Sequence, residues 1–130
     1  MKKIKPNSLD SVIYFTLYIC AQDNLIAKEE LDQLSIEIPL LQKLYLDLYG
    51  EYINKDFEVI INKISKELLK ANYYIGKKIT KLEKDVFSKL ITDPKIQDIS
   101  LIVARHAASA DGFHQLENSK YSYWSQQWGL

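Results

Sequence analysis

In the stretch NSLDSVIYFTLYICA, Leu9, Val12, Ile13, Thr16, Leu17 and Cys20 recur at steps of three and four residues, the spacing of one helix face. Asn7 or Ser8 suits its N-cap, so a first helix is predicted over about residues 8–22. KEELDQLSI gives a second helix that should end before Pro39, because the residue preceding proline is pushed out of the α region. Pro39 then suits the first turn of a third helix, with Leu40, Leu41, Leu44 and Leu48 towards the core and a stop near Gly50. Phe57, Ile60, Ile61, Ile64, Leu68, Ala71 and Ile75 form the clearest stripe, in a long helix from about Asn54 to Gly76.

Local capping chemistry marks the later elements. Thr80 followed by Glu83 has capping-box spacing and opens a short fifth helix through KLEKDVFSKLI. Asp93 before Pro94 is an N-cap with proline at the first helical position, opening a sixth helix through KIQDISLIVARHAASA. The last helix starts near Gln115 and carries Tyr121, Trp124 and Trp128 on one face. No segment sustains the period-two alternation of a strand. The expectation is an all-α bundle of about seven helices joined by short loops.

Composition narrows this to one unit. A chain of 130 residues, 47% hydrophobic, has enough apolar surface for one continuous core and is expected to be a single domain. With 17 basic and 17 acidic side chains, no overall field draws it to nucleic acid or an anionic membrane. Charge is nonetheless uneven: acids outnumber bases in residues 1–54 and 96–130, and lysines outnumber acids in residues 55–95. The opening MKKIKPNSLD leads into no signal-peptide core, and no apolar run approaches membrane-spanning length. The chain is therefore expected to be soluble and cytoplasmic. The single cysteine, Cys20, fits a small buried hydrophobe rather than a reactive thiol.

Two stretches share a further pattern. In YICAQDNLIAKE and HAASADGFHQLE the same interval, 88 positions, separates Asp23 from Asp111 and Glu29 from Glu117. Asn24 then aligns with Gly112, Leu25 with Phe113 and Ile26 with His114. Asn and Gly are the residues that most readily take φ > 0 at a helix end, and an apolar residue after such a cap packs back on the helix it has left. Glu29, Glu30 and Glu117 fall in the first turn of the following helix, where the dipole favours negative charge by about 0.3–1 kcal/mol. Each copy therefore reads as a helix stop followed by a helix start, and Ala104, Ala107, Ala108 and Ala110 allow close packing before the second.

These residues resemble the paired helix, Asp-Gly loop and helix signatures of the TerB-like tellurite-resistance family. Asp23, Asn24, Ile26 and Glu29, with Glu30 as an alternative acid, match the first copy, and Asp111, Gly112 and Glu117 match the second. Asn24 stands where the family has Gly, and His114 where it has Ile. The resemblance implies an all-helical bundle of two related halves, working without enzymatic activity in a bacterial stress response. It also implies that the acidic loop residues Asp23, Glu29, Glu30, Asp111 and Glu117 bind a divalent cation.

The residues themselves leave other readings open. Neither loop has the ligand spacing of an EF-hand, so a shared cation site requires the two loops to converge. Asp111, His114 and Glu117 are an imidazole and two carboxylates at steps of three, a set that suits a transition metal and would serve a cation-dependent enzyme or a small-ligand-binding protein. No phosphate-binding glycine loop, nucleophile elbow or zinc spacing is present. His106 reads as a partly exposed side chain. Lys77, Lys78, Lys81 and Lys84 read as a solvated face, with an anionic partner as the alternative. Tyr121, Trp124 and Trp128 either pack the last helix to the core or serve a homodimer or protein partner.

Overall fold

The computed structural model describes residues 4–20, 28–50, 57–71, 79–110 and 115–130. These form six helices and no strand: α1 (Leu9–Cys20), α2 (Lys28–Tyr49), α3 (Phe57–Ala71), α4 (Lys81–Leu90), α5 (Pro94–Ser109) and α6 (Gln115–Gln127). The all-α expectation holds, and the capping boundaries expected for α4 and α5 hold with it. Thr80 Oγ1 accepts from the Glu83 amide at 3.3 Å while the Glu83 carboxylate accepts from the Thr80 amide, which completes the capping box of α4. Asp93 caps α5 through the Lys95 amide at 2.9 Å, with Pro94 in the first turn.

The count of seven is corrected in α2. The expected second and third helices are one, with Pro39 inside. Proline removes the bond that residue 39 would donate to the Ser35 carbonyl and costs a helix interior about 3 kcal/mol. Leu34, Ile38, Leu41 and Tyr45 nevertheless form one stripe across it, each no more than 3% exposed. Burying four such side chains contributes about 1.5–3 kcal/mol apiece, enough to carry the helix through a proline whose ring lies on the exposed side. The continuous phase also corrects the expected core face. Leu41 is buried, whereas Leu40 and Leu48 are 60% and 43% exposed and Leu44 is half-buried.

α1 lies at the centre. Apart from half-buried Asp10, all its residues are buried, so it is covered on every side rather than on one face as its spacing suggested. Its main neighbour is α5. The two run parallel: at their starts the Asn7 side chain accepts from the Thr92 and Asp93 amides at 2.9 and 3.0 Å, and at their ends Cys20 packs with Ala107 and Ala108. Ser100, Ala104, Ala107 and Ala108, all 0% exposed, put small side chains along the buried face of α5; of the expected alanines only Ala110 is exposed, as the C-cap residue. Ser8 caps α1, its Oγ accepting from the Ser11 amide at 3.2 Å. The Asp10 carboxylate pairs with Lys63 of α3 at 2.9 Å, and Ile60, Ile61, Ile64 and Leu68 complete the α3 face of the core.

α2 and α6 return antiparallel to α1. Tyr45 of α2 donates its hydroxyl to the Asn7 carbonyl at 3.1 Å, while Glu37, two turns earlier, reaches His106 near the end of α5. In α6, Lys120 lies beside the end of α1 and Trp128 beside Phe15, ring centroids 5.2 Å apart. Trp124 is fully buried between Phe15 and Phe87, with Phe87 stacked on Tyr18 at 4.3 Å. The aromatic face of α6 thus packs the helix to the core, and Trp124 is not available to a partner.

Candidate functional site

The parallel α1 and α5 finish side by side, so the helix ends that lead towards the two acidic segments lie at one end of the bundle. Cys20 against Ala107 and Ala108 is the contact that fixes this. The Cys20 thiol is buried there, as expected. α2 and α6 both approach the same end. Glu30, 3% exposed, lies two turns before Glu37 on α2, in the first turn of the helix at that end. Glu29 beside it is exposed.

A buried cation stands at this end as well. Lys120 of α6 is 4% exposed; its Nζ donates to the Tyr18 carbonyl at 3.2 Å and sits 4.7 Å from the centre of the Tyr18 ring. An ammonium at the C-terminal end of α1 meets the negative pole of the helix dipole, and the ring face adds a cation–π contact. Lys120 was not among the residues singled out by motif. Its signal was positional: it is one turn before Trp124 on the same face, so the periodicity that buries the tryptophan draws the lysine stem in too.

Of the expected ligands, Asp23, Asp111 and His114 lie outside the described residues. Glu117 belongs to the first turn of α6, and its side chain too lies outside the described part. The expected convergence of the two loops, and the set formed by Asp111, His114 and Glu117, therefore fall outside the description. Among the described residues no three His, Cys, Asp or Glu side chains are grouped to hold a metal. His106 is exposed as expected, its Nδ1 3.1 Å from Glu37 Oε1, a link between α5 and α2. Arg105 lies over the Tyr121 ring and Lys84 over the Tyr123 ring, at 5.8 and 5.3 Å from the centroids. Lys81 and Lys84 are exposed, and Lys77 and Lys78 lie outside the described residues.

No family model, no curated protein and no solved structure matches the chain. Nothing in these comparisons identifies the TerB-like family. No helix among the described residues is long and apolar enough to cross a membrane.

Proposed function

We propose that the chain is a non-enzymatic helical module of the TerB-like kind, which binds a divalent cation through its two acidic segments and acts by protein interaction in a bacterial stress response. The observation that carries this reading is the parallel pairing of α1 and α5, with Cys20 against Ala107 and Ala108. The helices that precede two segments related by a constant interval in sequence end side by side, as a shared site requires. Glu30 supports the oxygen-ligand chemistry, being a buried acidic residue in the first turn of α2 at that end. Lys120 bears on it in the opposite sense. It already supplies one positive charge there, and a cation must be favoured by the remaining carboxylates against that charge.

Calorimetric titration with calcium, magnesium and zinc tests the proposal. Binding that is lost in both Asp23→Ala and Asp111→Ala supports the shared site. Zinc binding that depends on His114 and spares Asp23 points instead to the Asp111, His114 and Glu117 set and to the alternative of a cation-dependent enzyme or ligand-binding protein. If no metal binds at about millimolar concentration and the melting temperature is unmoved, the cation role fails, since a ligand that binds the folded state must stabilise it.

A further inference from the structure

α2 has a second stripe. Its buried face is Leu34, Ile38, Leu41 and Tyr45; on the opposite face Asp32, Ile36, Leu40, Lys43 and Asp47 follow one another at steps of four, four, three and four, and all are exposed. Ile36 and Leu40 at its middle are 61% and 60% exposed. On the neighbouring antiparallel helix α5, Ile102, one turn before His106 and 48% exposed, is level with Leu40. An apolar centre of this kind on a helix that already has a complete core face is unusual for a solvated surface.

The order of charges along the stripe selects its occupant. Reading outwards from Ile36 and Leu40, one side has an acid, Asp32, and the other a base, Lys43, each about one turn away. We propose that this face pairs antiparallel with the same face of a second copy of the chain. A twofold axis across the middle of the stripe sets Ile36 against Leu40 of the other copy, and Asp32 against Lys43 twice over, the self-complementary arrangement that an isologous contact requires. Glu29 and Asp47 then face each other at the two outer ends, where solvent weakens their repulsion. The contact lies on the outer face of α2 and meets the cation site proposed above only at Glu29, on its outer rim; its centre, Ile36 and Leu40, does not depend on that site.

Sedimentation equilibrium over a range of concentrations tests this. The wild-type chain is expected to form a dimer that weakens by about tenfold or more in Ile36→Ser and in Lys43→Asp, which sets acid against acid. The charge swap Asp32→Lys with Lys43→Asp is expected to recover most of the lost affinity, and Asp47→Lys, which places a base opposite Glu29, to tighten the dimer. All these positions are exposed, and an unchanged helical circular-dichroism spectrum confirms that each variant folds. A chain that stays monomeric up to about millimolar concentration, where even weak specific pairing is populated, overturns the proposal. So does a dimer indifferent to Ile36→Ser, or one in which the double swap is as weak as Lys43→Asp alone.

Discussion

Asn7 concentrates more of the fold than any motif residue. It is the one non-glycine among the described residues with positive φ, 57°. From that conformation its amide group donates to Thr92 Oγ1 at 2.8 Å and accepts from two main-chain amides, its own N–H donates to the Leu90 carbonyl at 2.8 Å, and its carbonyl accepts from Tyr45. Replacing it with alanine strands the Thr92 and Asp93 amides and retains the left-handed strain. Asn7→Ala is expected to cost about 2–4 kcal/mol, and Asn7→Gly about 1 kcal/mol less, because glycine accepts the conformation freely. Urea denaturation of both variants checks this; equal losses would mean that the backbone conformation contributes nothing. The sequence pointed to Asn7 only as an alternative N-cap. Capping is local and was legible at Thr80, Glu83 and Asp93, whereas the partners of the Asn7 side chain lie 85 and 86 positions away and leave no local trace.

At the scale of elements, α2 separates what periodicity carries from what single-residue rules carry. The proline rule placed a boundary at Pro39, and that boundary brought a wrong phase with it: Leu40, Leu44 and Leu48 were set towards the core when the true stripe continues from Leu34 through Ile38 to Leu41 and Tyr45. A local cost of about 3 kcal/mol yielded to side-chain burial on both sides of it. Since the ring is exposed and the rest of the helix is held by the core, Pro39→Ala restores the missing bond at little steric cost. It is expected to stabilise the chain by about 1–3 kcal/mol, seen as a higher urea midpoint with unchanged slope. A midpoint that fell would show that residues 28–38 and 39–49 behave as separate helices. In α3, where no such rule intervened, the described residues of the apolar stripe, Ile60, Ile61, Ile64 and Leu68, face the core as spaced.

Across the whole molecule, the helical class, the element order and the packing role of the α6 aromatics were readable, because each depends on composition or on a period within one segment. The parallel registration of α1 and α5 was not. It is made by small side chains on α5 and by Asn7, and neither carries a pattern that names a distant partner. The constant interval between the two acidic stretches is the only sequence feature that runs parallel to it. Of the expected site residues Asp23, Glu29, Glu30, Asp111 and Glu117, only Glu29 and Glu30 have described side chains, exposed and buried respectively, while Lys120 emerged only from burial.

The burial of α1 on all sides dictates an order of events. α1 precedes its main neighbour, α5, with the contacts between them about 85 residues apart in the chain. Closing so long a loop is entropically expensive and comes late in folding. During synthesis α1 must therefore wait, incompletely covered, until α5 has emerged, which is the circumstance in which nascent chains associate wrongly or need holding. A fragment ending at Thr92 is expected to give no cooperative thermal transition by circular dichroism, whereas the full chain gives one; a sharp transition in the fragment would place the nucleus in the first four helices. A helix that is made well before its chief neighbour is thus expected to be among the last to reach its final surroundings.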